Sequence, residues 1–330
     1  MGTRGSIAVC RPDVARYGGN TTCWEIRSNR VAERARIVID AGTGFYEFGN
    51  QLLRTEGPGA IDDLNLLFTH YHNDHVNGLS MCPLMFTPTI RKHLFGPVDM
   101  DNHNLPFGPL AALEQEFSIP RFPVTAEKIR ETIATVDVSP PEVSSDDVIC
   151  FSANRRTTIK HSTYRRVVKR ELKQVEFDDT PVHPENILFV RAFRCVHPQI
   201  TLAYRFEEFD AQMQSISTFV LLTDHEAQVQ VTADLQRFLT GADFVAVDCQ
   251  YTMARYKQSA GFGHGNPRWV AAILKATGVE RIGLIHHDPN ASDDEVDAVR
   301  DEVTEFARTK GVELKHHEVI SVADRQQFKV

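Results

Sequence analysis

The chain lacks most of the features that classify a protein at a glance. No apolar run approaches the ~18 residues that a membrane-spanning helix needs, so no membrane partner is expected. No hydrophobic stretch follows Met1, so no secretory leader is expected either. Met1-Gly2-Thr3-Arg4-Gly5-Ser6 fits the loose myristoylation pattern but reads more simply as a Gly-rich turn. Cysteine is sparse: Cys10, Cys23, Cys82, Cys150, Cys195 and Cys249 are scattered and form no C-x-x-C pair. That excludes a zinc ribbon and a short disulfide scaffold. It fits a reducing cytoplasm, with most of these thiols filling core space. Positive charge is not in excess. The 36 Lys and Arg face 44 Asp and Glu, a net −8, which argues against blanket binding to nucleic acid or anionic lipid. There is no internal repeat and no low-complexity tract.

What is present is a globular composition, 42% hydrophobic and 24% charged over 330 residues. That length suits about two ordinary domains, or one large domain with an insertion. A chain of roughly 300 residues buries about three quarters of its unfolded surface, so its core needs no disulfide or structural metal. Histidine is the unusual entrant, with 14 copies that cluster.

The N-terminal half alternates short apolar runs with turns. Cys23-Trp24-Glu25-Ile26, Ile37-Val38-Ile39-Asp40 and Leu64-Asn65-Leu66-Leu67-Phe68-Thr69 read as strands. Gly18-Gly19-Asn20 and Ala41-Gly42-Thr43-Gly44 read as turns between them. Further strands are expected at Phe219–Leu222, Phe244–Val247 and Ile282–Ile285. Asn266, Pro267 and Gly278 punctuate a helix as cap, first residue and terminator. Ser292 and Glu295 form a capping box ahead of Val296, Val299, Val303 and Phe306 at helical spacing.

Residues 140–185 differ in character. Pro140-Pro141, Ser144-Ser145 and Asp146-Asp147 open a turn-rich stretch. Arg155, Arg156, Lys160, Arg165, Arg166, Lys169, Arg170 and Lys173 then stand against one acid, Glu171. The expectation is one domain over 1–330 with a basic insertion or cap at 140–185. That insertion is either a solvated element or an arm that attracts phosphate, RNA included.

The most informative segment is Thr69-His70-Tyr71-His72-Asn73-Asp74-His75, directly after a buried strand. Residues i and i+2 leaving a strand project to one side, so His70 and His72 can grip one ion. Asp74 and His75 follow one turn later and can address a second. Imidazole and carboxylate suit zinc, and also manganese or iron. One loop cannot complete two sites. Three polar residues that each end an apolar run are the remaining candidates: His197, Asp224 and His286.

This set resembles the metallo-β-lactamase-fold hydrolases, end to end apart from the insertion. The opening Gly2-Thr3-Arg4-Gly5-Ser6 and Arg16-Tyr17-Gly18-Gly19-Asn20-Thr21 resemble the branch near ribonuclease Z and the cyclic-nucleotide phosphodiesterases. So do Val196-His197-Pro198 with Tyr204-Arg205, Thr223-Asp224, Gly263-His264-Gly265 and His286-His287-Asp288-Pro289. The resemblance implies an α/β fold of αββα layers with its site at the strand ends. It implies two divalent ions, zinc with manganese as the alternative. His70, His72 and His197 would hold one, and Asp74, His75 and His286 the other, with Asp224 bridging. Asp40 would support the metal loop from behind. His287 and His225, each adjacent to a ligand, would face away from the ions.

The implied chemistry is hydrolysis of a small nucleotide phosphodiester, cyclic in form, by in-line attack of a metal-bridging hydroxide. Asp74 would orient the water or accept its proton. His264 would stabilise or protonate the leaving group. A homodimer is the family's usual assembly. The alternative is a tRNA 3′-end endonuclease. However, no Gly/Pro-rich arm separates His197 from Asp224, and the end motif lacks the ribonuclease's aromatic-serine pattern. Lactam, lactone or thioester hydrolysis and a non-enzymatic, metal-stabilised binding protein complete the alternatives.

Overall fold

The computed structural model describes residues 1–138 and 147–330. Two sheets stack face to face. The smaller has five strands in the order Trp24–Ile26, Ala35–Ile39, Asp63–Leu67, Arg91–Gly96, Ile133–Asp137. The larger has eight, in the order Glu318–Ser321, Arg281–Ile285, Phe244–Asp248, Ser215–Leu222, Leu202–Phe209, Leu188–Arg194, Asp147–Ser152, Arg155–Lys160.

The layering follows from alternation along the strands. Ile37, Ile39 and Leu67 of the smaller sheet meet Leu221, Phe244, Ala246 and Ile285 of the larger in the central core. The intervening residues point outward. Val38, Leu64 and Leu66 pack under the helix Thr43–Thr55 through Phe45, Phe48 and Leu52. Val220, Leu222, Val245 and Val247 pack under the helices Ala233–Leu239, Pro267–Thr277 and Asp293–Thr309. Strands buried on both faces must be apolar throughout, which is why these runs read as continuous hydrophobic stretches. The result is the expected αββα arrangement.

The helix punctuation appears as expected. The Asn266 side chain accepts from Trp269 N at 3.0 Å, and Gly278 ends that helix at φ 66°. The Ser292 and Glu295 capping box is closed in both directions. One reading changes: Ala41-Gly42-Thr43-Gly44 is a turn that passes at once into a helix beginning at Thr43. The stripe Phe45, Phe48, Leu52 supplies the reason, since only a helix buries all three on one side.

The Pro140-Pro141 and Ser144-Ser145 signals lie outside the described residues. Within the rest of 140–185, the strands Asp147–Ser152 and Arg155–Lys160 extend the larger sheet as its edge hairpin. The helix His161–Val168 follows and packs Tyr164 and Val167 on Val148, Cys150 and Phe189. Arg156 reaches Asp63, Lys160 reaches Asp147, and Arg155 lies over Phe177. Arg165, Arg166, Lys169, Arg170 and Lys173 are exposed. No helix among the described residues is long and apolar enough to cross a membrane.

Candidate metal centre

All seven predicted ligands meet at one end of the sandwich, where the strands run out. His70 and His72 follow Asp63–Leu67, and His197 follows Leu188–Arg194. Asp224 follows Ser215–Leu222, and His286 follows Arg281–Ile285. Asp74 and His75 sit on the single turn Asn73–Val76. One group of ligand atoms within 4.8 Å of one another comes from His70, His72, His197 and Asp224. A second comes from Asp74, His75 and His286. Asp224 touches both. Its Oδ2 lies 3.7 Å from His70 Nε2, while its Oδ1 lies 3.4 Å from both His75 Nε2 and His286 Nε2.

The nitrogen that each imidazole offers is set by the partner of the other nitrogen. The Thr69 hydroxyl donates to Asp40 Oδ2 at 2.8 Å, so toward His70 Nδ1 at 3.1 Å it accepts. His70 therefore presents a bare Nε2. His75 Nδ1 donates to the same Asp40 oxygen at 2.8 Å, so His75 also presents Nε2. His197 Nδ1 donates to Gly263 O at 3.1 Å, again leaving Nε2. His72 instead turns Nδ1 inward, 2.9 Å from His70 Nε2 and 3.2 Å from His197 Nε2.

These residues fit cations. His70 Nε2 and His197 Nε2 converge on His72 Nδ1, and the Nδ1–H donors of His70 and His197 are used elsewhere. His75 Nε2 is buried without a hydrogen-bond partner, facing Asp74 Oδ2 and Asp224 Oδ1 at 3.4 Å. A buried nitrogen facing two carboxylate oxygens requires a positive charge between them, a metal ion or, in its absence, a proton. The donor set of His nitrogen and carboxylate oxygen is that of zinc, and of manganese or iron.

The electrostatics divide along the same line. Burial and the nearby His75 push His70 well below the usual imidazole range. Burial and His197 push His72 down to about 4, and burial lowers His197. This trio is neutral at pH 7, as ligation requires. In the second group burial opposes charge on the histidines, but the acids prevail. Asp74, Asp224 and Asp40 raise His75 well above the usual range. Asp224 and Asp74 raise His286 to about 9. Burial would push Asp74 and Asp224 up, yet His75 and His286 hold both far below the usual carboxylate range. A proton thus occupies the second group whenever metal does not.

Two consequences are measurable. Metal uptake at pH 7 should release about one to two protons per chain, which calorimetry in buffers of different ionisation enthalpy would show. The folded value of His286 lies above its unfolded 6.5. Its contribution to the metal-free protein is therefore full below about 6.5 and lost as pH rises through about 9. The melting temperature of the stripped protein should fall across that window more steeply than that of the loaded protein.

Backbone strain marks the site. Asp40, Asp224 and His286 adopt φ values of 57°, 50° and 60°. The left-handed region is uncommon for side-chain-bearing residues and clusters where function over-determines geometry. Glycines admit the neighbouring chain. A Cβ on Gly5 would stand 2.4 Å from His286 Nδ1, and one on Gly263, at φ 95°, 2.0 Å from His197 Nδ1. The N-terminal segment is laced to the His286 loop. Gly5 N donates to His287 O at 3.0 Å, and buried Arg4 donates to the Asp288 and Ala291 carbonyls. Ser6 N donates to Asp74 Oδ2 at 2.7 Å.

His264 stands beside the ligands. Its ring stacks on His286 at 4.9 Å between centroids and lies 5.9 Å from that of His197. Its Nδ1 lies 2.9 Å from Asp248 Oδ2, so Nε2 is the free nitrogen. Asp248 is fully buried and had no role in the sequence reading. It directly follows the apolar run Phe244–Val247, the same signal that selects Asp224 and His286. The other two histidines face away. His287 Nε2 lies 2.8 Å from Val322 O, and His225 stacks on Trp269.

No family model and no curated protein matches the chain. Solved structures do. The metallo-beta-lactamase fold protein YhfI from Bacillus subtilis superposes with a TM-score of 0.55 at 14% identity, over 98% of this chain and 94% of that one. A diphosphatase of the PhnP family gives 0.51 at 14% identity, over 90% and 88%. The short form of human tRNase Z gives 0.50 at 15% identity, over 87% and 91%. The chain has the metallo-β-lactamase fold.

Proposed function

We propose that the protein is a binuclear metal-dependent phosphodiesterase acting on a small, cyclic nucleotide. The observation that carries this reading is the Asp224 carboxylate, which turns one oxygen to each of two ligand groups. Two divalent ions, zinc or manganese, would supply Lewis-acid activation of water and neutralise charge on the phosphoryl oxygens when bound.

The chain's own residues supply the rest. His70, His72 and His197 would hold one ion, and Asp74, His75 and His286 the other. Asp74 Oδ2 is fixed by Ser6 N, so the Asp74 carboxylate is placed to orient water or take its proton. His264 Nε2 is the proton carrier for the leaving oxygen. The buried Asp248 carboxylate holds the ring by Nδ1, which fixes its orientation and leaves Nε2 for the proton transfer. Asp248 Oδ1 is itself held by Gln250 N at 3.1 Å.

A second reading, cleavage of RNA, has one observation of its own. Arg165, Arg166, Lys169, Arg170 and Lys173 form an exposed basic surface on and after the helix His161–Val168. The metal-loaded protein should be assayed on cyclic mononucleotides, cyclic dinucleotides, a precursor tRNA and a β-lactam. Turnover of the cyclic nucleotides supports the proposal. Turnover of only the tRNA or only the β-lactam contradicts it. An RNA substrate would also show a steep salt dependence that neutralising those five cations removes.

A further inference from the structure

Hydrophobic side chains stand on the rim of the metal centre, alongside Arg121, whose guanidinium donates to Asn73 Oδ1 at 3.1 Å. Three loops that build the centre each expose one large hydrophobic side chain. Ile7, 61% exposed, follows Ser6. Val196, 48% exposed, precedes His197, and Phe262, 61% exposed, precedes Gly263. Scattered surface hydrophobics are ordinary. Here three separate loops place them within two residues of groups that bind one another across the centre. Arg255, on the helix Met253–Ser259 that precedes the Phe262 loop, is engaged by Asp288.

Phe262 is presented deliberately. It stands between Gly261 at φ 91° and Gly263 at φ 95°, two turns that few other residues adopt. Gly263 is pinned on both sides, its carbonyl by His197 Nδ1 and its N–H by Glu226 Oε2 at 2.7 Å. Tyr251, just ahead of the helix Met253–Ser259 that leads into this loop, sets its ring edge-on to His264 at 5.9 Å. One aromatic ring therefore touches the histidine assigned to the leaving group, and a second, exposed one stands two residues before that histidine in the chain.

We propose that Phe262, with Tyr251, forms a stacking subsite for a flat aromatic group on the leaving side of the phosphodiester, a nucleobase in the simplest case. This rests on the phosphodiesterase reading and narrows its substrate class to single phosphodiesters that carry a ring. Stacking on an aromatic face is tolerant of base identity, so the subsite favours nucleotides as a class rather than one base.

The test compares metal-loaded wild type, Phe262→Ala and Phe262→Trp. The substrates are a purine cyclic monophosphate and the base-free cyclic phosphate of the same sugar. Inhibition by the nucleoside monophosphate and by ribose phosphate gives a binding readout apart from turnover. Wild type should favour the base-bearing member of each pair by roughly tenfold or more. Phe262→Ala should collapse that ratio toward one, chiefly through KM, and Phe262→Trp should keep it. The wild-type ratio stands as a test even if the alanine variant misfolds. Equal preference in wild type, or a ratio unmoved in Phe262→Ala, overturns the subsite while leaving the phosphodiesterase reading intact. Wild type that turns over no phosphodiester overturns both.

Discussion

Asp224→Asn should yield a folded protein that holds at most one ion per chain and hydrolyses phosphodiesters at least about 1,000-fold more slowly. Asparagine matches aspartate in shape and tolerates the left-handed backbone found at this position, φ 50°. The loss is then one of charge and of a bridging oxygen, not of fold. Asp224 is buried, and its two oxygens face His70 on one side and His75 with His286 on the other. Without the negative charge, the raised values of His75 and His286 lose one of their main supports. That lessens proton competition at the second site, but the lost anionic oxygen outweighs it, so the site should bind metal more weakly as well as react more slowly. Metal content by mass spectrometry and a circular dichroism spectrum separate these effects from unfolding. Two ions per chain and near-native turnover in Asp224→Asn would refute the bridge.

His264→Ala should behave differently. Turnover should fall about 100- to 10,000-fold, the range for a lost general acid, while both ions remain bound. His264 also forms a group with Asp224 and His286, their ligand atoms within 4.8 Å of one another, so the variant's metal content is the readout that separates a ligand from a proton carrier. A leaving group that needs no proton, such as p-nitrophenolate, should be much less affected by the change. Asp248→Asn should reproduce part of the defect, because a neutral amide holds the ring less firmly than the carboxylate does. If His264→Ala loses metal along with activity, the residue is a ligand and the proton-carrier role is wrong.

The two halves of this account were not equally legible in the sequence. The sandwich was visible because its strands are buried on both faces and its long helices carry strong punctuation at Asn266, Gly278 and Ser292. The candidate ligands are visible because each ends an apolar run or lies in His70-x-His72-x-Asp74-His75. Asp248 obeys the same rule. An acid at a strand end reads as a candidate ligand, whereas the work of Asp248 is to hold another side chain. The helix at Thr43 was hidden by two glycines whose local signal is a turn, outweighed by the burial of Phe45, Phe48 and Leu52. Asp and His are among the side-chain-bearing types that visit the left-handed region most, yet residue type alone does not single out Asp40, Asp224 and His286. It arises from long-range closure, since those three positions bring separate strand ends to one point. The pairing of Arg156 with Asp63, 93 positions away, is of the same kind. It takes one cation out of a segment that by composition alone looks uniformly free.

The most direct measurement titrates metal-stripped protein with zinc, or with manganese, while following hydrolysis of a cyclic mononucleotide. The account predicts no turnover without metal and a rise that saturates at two ions per chain. Turnover in the stripped protein, or none with both ions bound, would contradict it.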